Sequence, residues 1–298
     1  MGANRSHHYV PKCYLRNFAE SAGQKTISLF NIRQRKVIKG APIKSQCARD
    51  FLYGRDELEF HLSEIEGRYA EWITRGILAC PPRLIEGIDV FCRFFAIIQY
   101  MRTEAHAARM RAHFSLTTAL ADIPIDSEFL AGMDMSDTAL ARDGINFALQ
   151  LRPHLDDLKF VLLDNRSSEN FLTCDDPVVM TNRLYFLRVG DSNFGLGSAG
   201  TIFSLPLSPK VAMLLYDGDV YAPRKRSPQW VTCSQVSDVR AFNDLIFLKA
   251  RENVYFCSPD DFSHDHFQQV ESARIAHWER GKVLGSGPIN GIPLAAGM

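Results

Sequence analysis

The chain of 298 residues has 34 basic and 34 acidic side chains, and 46% of its residues are hydrophobic. This length and hydrophobic content suffice for a substantial buried core, in one large domain or two ordinary ones. The balanced charge excludes a global electrostatic field that would attract nucleic acid or anionic lipid. A nucleic-acid partner would therefore need a local basic patch.

Cysteine usage and the apolar runs bear on the cellular compartment. Seven cysteines are scattered along the chain without a CxxC pair, which argues against both a disulfide framework and a structural zinc site. The longest apolar run, residues 91–101, is too short to span a bilayer, and no signal-like apolar segment opens the chain. We therefore expect a cytoplasmic protein without a membrane partner, and its oligomeric state stays open.

The first half of the chain carries mainly helical patterns. Residues 25–40 contain two short β-rich runs around a polar turn, which is typical of a hairpin. Apolar residues recur at steps of three and four over residues 62–77 and predict an amphipathic helix. Residues 84–113 are apolar on nearly every face in their middle, which predicts a helix at the centre of the fold. A third helix is predicted over residues 127–151.

The second half carries mainly strand patterns. Residues 159–180 contain two apolar runs around a polar turn and predict a β-hairpin. Two more strands are predicted within residues 201–218, a helix within residues 234–250, a strand at residues 253–258 and a last helix over residues 260–280.

The order of these elements predicts the fold class. Because strands and helices do not alternate regularly, we expect an α+β fold in which a helical N-terminal half packs on a largely antiparallel or mixed sheet from the C-terminal half. No linker-like stretch divides the chain internally, so we expect one globular domain over residues 1–284. The small-residue end, residues 285–298, predicts a flexible tail.

Two motifs resemble functional sites in spelling only. "GLGSAG" (195–200) has the spacing of a dinucleotide-binding loop, but strand-like sequence follows where that loop requires a helix, which predicts an ordinary loop. The arginines and histidines of "RTEAHAARMRAH" (102–113) are one residue too close for the Arg-x4-6-His pair of helical ribonucleases. They predict a solvated basic helix face.

One face of the predicted central helix carries Phe95, Gln99, Arg102, His106 and Arg109. Arg102 directly follows the apolar run, where a guanidinium without a partner has a severe desolvation cost. Two interpretations stay open: Arg102 pairs with an internal carboxylate such as Glu66, or it binds an anionic ligand at the floor of a pocket.

Five stretches of the chain occur in the same order in a bacterial family known as domain of unknown function 4238, and the chain resembles that family over roughly residues 7–258. The stretches are "HYVPKCYLRNFA" (8–19), "FAIIQYMRT" (95–103), "FLTCDDPVV" (171–179), "PLSPKVAMLLY" (206–216) and "FNDLIFLKARENVYFCS" (242–258). The family's opening pattern His-x-x-Pro-x-x-Tyr-Leu-x-x-Phe is matched by His8, Pro11, Tyr14, Leu15 and Phe18. The third stretch has Asp175-Asp176-Pro177 where the family usually has Asp-Asn-Pro.

This resemblance implies a choice among the polar residues. His8, which holds the motif position, could act as a general base near neutral pH. Arg102 could hold a phosphate through its bidentate fork, and Asp175 could orient the imidazole or bind a divalent metal ion. Glu66 could be a second carboxylate at the same site. Further ligand contacts are expected from Gln99 and Asn243.

These residue types together suit phosphodiester cleavage. The leading hypothesis is a nuclease or related phosphodiesterase, acting on RNA or DNA as a toxin or defence effector, with a divalent metal ion left open as its cofactor. A second hypothesis is a non-enzymatic module that binds a nucleotide or another anion through Arg102. A third is a scaffold whose motif residues are paired internally, with His8 bonded to a backbone carbonyl and Asp175 completing a turn.

Overall fold

A computed structural model describes residues 6–21, 23–54, 58–120, 134–183, 194–223, 225, 227 and 229–283. The expected tail at residues 285–298 lies outside this part of the chain. The single domain over residues 1–284 stays a prediction.

The opening motif folds into a strand and a tight helical turn. Strand β1 (Ser6–His8) is followed by the short helix α1 (Lys12–Leu15) and a 3-10 turn (Arg16–Phe18). Pro11 immediately precedes the helix with φ −58°, the conformation to which its ring restricts it. The apolar motif residues are fully buried, and these are Tyr14, Leu15 and Phe18. Strand β1 pairs antiparallel with β4 (Ala48–Asp50).

A four-stranded sheet combines the two ends of the chain. The predicted N-terminal hairpin is confirmed as β2 (Thr26–Asn31) and β3 (Lys36–Pro42). The other edge of β2 pairs antiparallel with β11 (Asn253–Phe256), which in turn pairs with β6 (Thr173–Cys174). The sheet therefore has the order β3-β2-β11-β6.

The first long helix changes its geometry along its length. Helix α2 (Leu58–Tyr69) continues directly as a π-helix (Ala70–Ile77). At its end the Leu78 N–H donates to the Ile73 carbonyl five residues back, at 2.9 Å. The predicted apolar stripe is confirmed, because its fully buried members lie along both parts: Leu62, Tyr69, Ile73 and Ile77.

The predicted central helix is two helices. Helix α3 (Ile88–Met101) ends at Arg102, and α4 (Glu104–Leu120) begins two residues later. The Thr103 hydroxyl accepts the N–H of His106 at 3.1 Å and so caps the new helix. The expectation of a solvated basic face is wrong, because Arg102, His106 and Arg109 are only 0%, 5% and 8% exposed.

The third helix of the first half, α5 (Asp137–Leu151), begins later than predicted. The Ser136 hydroxyl accepts the N–H of Ala139 at 3.2 Å and caps it. Residues 127–133 of the predicted helix lie outside the described residues.

A five-stranded sheet has the order β10-β5-β9-β8-β7. The predicted strands within residues 201–218 are confirmed as the antiparallel pair β8 (Thr201–Ser208) and β9 (Val211–Tyr216). Beyond β9 lies β5 (Lys159–Asn165), which pairs in parallel with the edge strand β10 (Trp230–Cys233). At the other edge is β7 (Val179–Asn182).

The predicted hairpin within residues 159–180 is wrong, since its two arms belong to different sheets: β5 pairs with β9, whereas β6 pairs with β11. The connecting turn is closed by Asn165, whose side chain donates to the Glu169 carbonyl at 2.8 Å and to the Pro209 carbonyl at 3.2 Å. These bonds tie the turn to the β8–β9 connection and direct the chain out of the sheet.

The predicted layout of a helical half packed on a sheet half is also wrong. The class is α+β, but β1 to β4 lie within the first 50 residues. Helices α6 (Val236–Lys249) and α7 (His264–Val283) lie near the end of the chain, where they confirm the two C-terminal helices that were predicted. The physical reason is that strand pairing is non-local: the composition of each half does not reveal that β2 pairs with β11.

The main hydrophobic core lies between α3 and one face of the five-stranded sheet, and the opening motif contributes to it. It includes Phe91, Phe95 and Ile98 from the helix and Leu162, Leu205 and Met213 from the sheet. In the described residues, no helix has both the length and the apolar character needed to cross a membrane.

Candidate functional site

Arg102 lies in the interior, where α3 ends. Its Nη2 donates to Glu66 Oε1 at 2.9 Å and to the His8 carbonyl at 2.5 Å. Its Nε donates to the Tyr53 hydroxyl at 3.2 Å. Within the described part of the chain, Nη1 is buried without a hydrogen-bond partner. Of the two interpretations of Arg102, the pairing with Glu66 is present in the structure.

The surroundings of Arg102 preserve its charge. Burial disfavours a guanidinium cation, but Tyr53 and Glu66 outweigh this and raise the pKa of Arg102 above its usual value. Burial also raises the pKa of Tyr53 to about 12, so its hydroxyl stays protonated. That hydroxyl donates to the Arg102 carbonyl at 3.0 Å while it accepts from Arg102 Nε.

The two histidines of the opening segment have different roles. His8 Nε2 is 3.1 Å from the Lys44 carbonyl, so this nitrogen carries the proton, and Nδ1 is the nitrogen left to accept one. Burial, followed by the charge of Lys12, lowers the pKa of His8 and favours the neutral ring. His7 Nδ1 accepts the Tyr53 N–H at 3.2 Å. His7 therefore fixes the opening segment to the chain at Tyr53.

Gln99 is fully buried one turn before Arg102 on α3. Its Nε2 donates to the Tyr9 carbonyl at 2.8 Å. Its Oε1 has no hydrogen-bond partner among the described residues. This amide therefore anchors the opening segment, and its oxygen is an acceptor that the described part of the chain does not engage.

Asp175 caps the turn that leads into β11. Its carboxylate accepts the N–H groups of Arg251 at 3.0 Å, of Glu252 at 2.7 Å and of Asn253 at 3.4 Å. Burial raises the pKa of Asp175 to about 7, although the backbone N–H groups oppose the shift. Within the described residues, no hydrogen bond or ion pair joins Asp175 to His8 or Arg102.

Asn243 likewise bonds to backbone. Its Oδ1 accepts the Leu172 N–H at 2.9 Å and its Nδ2 donates to the Asn170 carbonyl at 3.0 Å, so it fixes the segment before β6 against α6. Of the predicted site residues, Arg102 bonds directly to the Glu66 side chain and to the backbone carbonyl of His8, and Gln99 lies on the helix that ends at Arg102. Asp175 and Asn243 are bonded to other segments.

A second buried charge cluster was missed by sequence reasoning. Asp176 is fully buried and pairs with Arg109 and with Lys249 Nζ, the latter at 3.1 Å. Its second oxygen accepts from the Thr103 hydroxyl at 2.9 Å. Burial would raise the pKa of Asp176, but the two cations outweigh it and hold the pKa below its usual value. The available signal was the second Asp of the third family stretch, where Asn is usual.

A cavity of about 920 Å³ forms an open groove on the described part of the chain. One wall consists of the turn after α1 and of the π-helix, which contribute Arg16, Asn17, Thr74 and Arg75. The other consists of the five-stranded sheet at the end of β5, where Asp164, Val211 and Ser208 are cross-strand neighbours in register. Trp230 on the edge strand completes this second wall.

The groove is basic. Four cations line it, Arg16, Arg75, Arg166 and Lys210, against a single carboxylate among the described lining residues, Asp164. Arg166 Nε is bonded to Asp164 at 2.7 Å. By contrast, Arg16 and Arg75 are exposed, and neither forms an ion pair or a side-chain hydrogen bond with a described residue.

Polar side chains on both walls are fixed in place. The Thr74 hydroxyl donates to Asn17 Oδ1 at 3.2 Å. The Ser208 oxygen accepts the N–H groups of Lys210 at 3.3 Å and Val211 at 3.1 Å, which leaves its own proton available to a ligand. Lys210 Nζ is anchored by the Ser167 carbonyl at 3.1 Å.

Sequence reasoning did not select any of these groove residues, although Arg16 and Lys210 lie within two of the five family stretches. Basic residues at exposed positions of family stretches were the signal that could have found them. No group of three or more His, Cys, Asp or Glu side chains suitable for a metal ion occurs in the part of the chain that the structure describes.

Comparison with known proteins agrees with the resemblance seen in the sequence. No curated protein and no solved structure gives a significant match to the chain. The family model described as "Protein of unknown function (DUF4238)" matches residues 6–260, which is nearly the whole chain. The match includes the opening motif and all five stretches, and the chain therefore belongs to this family.

Proposed function

We propose that the protein binds a phosphate-bearing anion in the basic groove. The observation that carries the proposal is the pair Arg16 and Arg75 on one wall, whose charges no described carboxylate neutralises. Uncompensated cations in a concave site focus the local field and attract anionic ligands.

The chemistry and size of the groove support such a ligand. Arginine presents a planar fork of donors that matches two phosphate oxygens, and an anchored lysine supplies a point charge. Lys210 is such a lysine, held from behind by the Ser167 carbonyl. The volume of about 920 Å³ lies within the ~300–1,000 Å³ of small-molecule sites.

Calorimetric titration with pyrophosphate tests this proposal. We expect wild-type protein to bind it more weakly as salt is raised, and the double variant Arg16→Gln, Arg75→Gln to lose about tenfold or more in affinity, because two charge-assisted contacts are removed. Arg33→Gln is the matched control, since Arg33 is an exposed arginine in the β2–β3 turn, away from the groove. Unchanged affinity in the double variant, or no binding by wild type, would contradict the proposal.

Phosphodiester hydrolysis of RNA or DNA is a second candidate function. With this activity, we propose that the protein would act as a toxin or defence effector. The supporting observations are the neutral His8 ring, on which the charges of Glu66 and Arg102 both act, and the bond from Arg102 to the His8 carbonyl. A neutral imidazole can accept a proton through Nδ1, and Arg102 Nη1 is a donor without a described partner that could stabilise developing negative charge.

Cleavage assays on RNA and DNA with Mg²⁺ or Mn²⁺ test this second candidate. We expect His8→Ala to abolish cleavage and His61→Ala, an exposed histidine on α2, to leave it intact. Circular dichroism should confirm that both variants fold. Cleavage that survives His8→Ala would exclude His8 as the base.

We also infer that the protein acts in a reducing cytoplasm. All seven cysteines are free thiols, and Cys47, Cys92, Cys174 and Cys233 are buried. Reduced thiols are typical of cytoplasmic proteins. Nucleotides and nucleic acids are the abundant phosphate-bearing ligands of that compartment, and we propose them as the partner class.

A further inference from the structure

Trp230 sits where the basic groove meets the edge of the five-stranded sheet. It is the first residue of β10, is partly exposed and lines the groove. Its backbone forms two reciprocal hydrogen bonds with Ser227: the Trp230 N–H donates to the Ser227 carbonyl at 3.2 Å, and the Ser227 N–H donates to the Trp230 carbonyl at 3.4 Å. Part of its side chain packs against the main core. The Ser227 bonds therefore fix the backbone of Trp230, and the core contact restrains part of its indole.

A site for phosphate alone does not require an aromatic side chain. Cations and hydroxyl groups satisfy phosphate oxygens, whereas the partly exposed indole of Trp230 offers an apolar surface on which a flat base could stack. Single-stranded nucleic acids and nucleotides present both features that this groove combines, a flat base for an aromatic platform and phosphates for nearby cations.

The arrangement of the walls fits such a ligand. Trp230 and Asp164 belong to adjacent strands: Trp230 lies opposite Leu162, and Asp164 follows two residues later on the same face. Asp164 is bonded to Arg166, which lies just beyond β5. Arg16 and Arg75, which have no ion-pair partner among the described residues, line the other wall. A base on the indole would thus leave its phosphates in the same groove as two arginines that have no described counter-ion.

We infer that the groove recognises a nucleoside phosphate, whose base stacks on Trp230 and whose phosphates contact Arg16 and Arg75. This inference rests on the proposed anion-binding function and names the ligand class of that site. The same chemistry is offered by a free nucleotide and by one unit of a single strand of RNA or DNA. The open shape of the groove admits both sources.

The first experiment compares ADP with pyrophosphate on wild-type protein, so that the two ligands differ by the nucleoside alone. We expect ADP to bind more tightly by about 5- to 100-fold, the range that stacking of one base contributes. Equal affinity for the two would overturn the inference and leave the anion-binding function standing. Failure of both ligands to bind would overturn the anion-binding function itself.

The second experiment uses variants to assign the preference to the indole. We expect Trp230→Leu to reduce ADP affinity to that of pyrophosphate while pyrophosphate binding is unchanged, and Trp230→Phe to retain part of the preference. Phe60→Leu is the matched control, because Phe60 is an aromatic residue on α2 that is 64% exposed and lies outside the groove. If Trp230→Leu weakens both ligands equally, the indole has only a structural role and the inference fails.

A third titration distinguishes the two sources. Short single-stranded RNA and DNA oligonucleotides are compared with ADP at two salt concentrations. Tighter oligonucleotide binding with a steeper salt dependence identifies a strand as the ligand, since more phosphates are neutralised. Binding of ADP without a gain for the oligonucleotides identifies a free nucleotide. Both results support a nucleoside phosphate, and absence of binding by every base-containing probe would contradict it.

Discussion

Arg102 and Asp176 illustrate two forms of charge compensation in the same interior. Arg102 pairs with the carboxylate of Glu66, whose side chain is 23% exposed. It also donates to two neutral acceptors, the Tyr53 hydroxyl and the His8 carbonyl. Asp176 is fully buried and has two cations, Arg109 and Lys249, that stack in addition on the ring of Tyr100 at 5.1 and 4.9 Å. Removing a buried partner is costly because the remaining charge has no water to solvate it.

We therefore expect Asp176→Asn to be the more destabilising of two matched carboxylate-to-amide changes. It leaves two buried cations without an anion and should lower the free energy of unfolding by about 3 to 5 kcal/mol. Glu66→Gln leaves Arg102 next to a partly solvated amide and should cost about 1 to 2 kcal/mol. Urea denaturation of the two variants measures this difference, and equal losses would contradict the contrast between the two clusters.

Asp175 gives the fold a pH dependence of its own. Its pKa is raised to about 7 in the folded protein, mainly by burial, against about 3.9 when unfolded. The folded state thus holds the proton more tightly, so this stabilisation is fully present below about pH 4 and is lost as the pH rises through about 7.

The stability difference between wild type and Asp175→Asn should follow this curve. We expect wild type to lose, relative to the variant, at most roughly 4 kcal/mol between pH 4 and pH 8. Chemical denaturation at several pH values measures this difference. A difference that stays constant with pH would show that Asp175 is ionised in the folded protein throughout the range.

The sequence predicted only part of the candidate site. The pairing of Glu66 with Arg102 was one of two open interpretations. A buried guanidinium needs a negative partner, but the sequence does not show whether an internal carboxylate or a ligand supplies it. The partners of Asp175 are the backbone N–H groups of Arg251 and the two residues after it. Local sequence patterns do not predict a contact between segments so far apart in the chain. Arg75 was missed because one exposed arginine on a helix resembles any surface charge.

At the scale of elements, the junction of α3, α4 and α5 is set by a close approach at Gly144. A Cβ on this residue would lie 2.7 Å from the Met101 carbonyl oxygen and 3.1 Å from the His106 ring. Burial lowers the pKa of His106 to about 3, so the ring against Gly144 is neutral. The absence of a side chain therefore allows α5 to contact the two helices where they separate.

Gly144→Ala should destabilise the fold although alanine favours helix. We expect a loss of about 1 to 3 kcal/mol, because the added methyl group forces the helices apart. Gly67→Ala on α2 is the matched control, since its Cβ would meet no atom within 4 Å, and it should stabilise by about 0.5 to 1 kcal/mol. Thermal unfolding of both variants measures these changes, and a gain at Gly144 would contradict the close approach.

The elements themselves were more predictable than their pairing. Periodicity located the helix stripe of α2, the β2–β3 hairpin, the strands β8 and β9 and the helix α6, because each depends on neighbours in sequence. The β5–β6 hairpin failed, since each arm has a better partner in a distant strand. The break between α3 and α4 also escaped prediction, because Thr103 caps a helix within a run that reads as continuous.

At the scale of the whole molecule, β11 joins the two ends of the chain. It lies between β2 from the N-terminal hairpin and β6 from the middle of the sequence. Asp175 accepts two N–H groups from the turn before β11 and one from its first residue, Asn253. The central residues of β11, Val254 and Tyr255, are fully buried. The four-stranded sheet depends on a strand made near the end of the chain.

Ending the chain after Ala250 should therefore abolish cooperative unfolding. The truncation removes β11 and α7, so β2 and β6 lose their shared partner and Asp175 loses its backbone donors. The matched control ends after Val283, removes no described residue and should keep the wild-type melting temperature. Differential scanning calorimetry distinguishes the two, and a cooperative transition in the shorter chain would show that the sheet forms without β11.

The π-helix over Ala70–Ile77 makes the groove sensitive to chain length as well as to side-chain identity. Each of its wide turns spans one residue more than an α-helical turn, and a residue corresponds to a rotation of about 100° around an α-helix. Deleting one residue before Arg75 while these wide turns persist would swing the remainder of the segment around its axis. Ile77 would then leave the core and Arg75 would leave the groove. Natural variants that gain or lose a residue at this point would thus be expected to bind something different, even with every charged side chain retained.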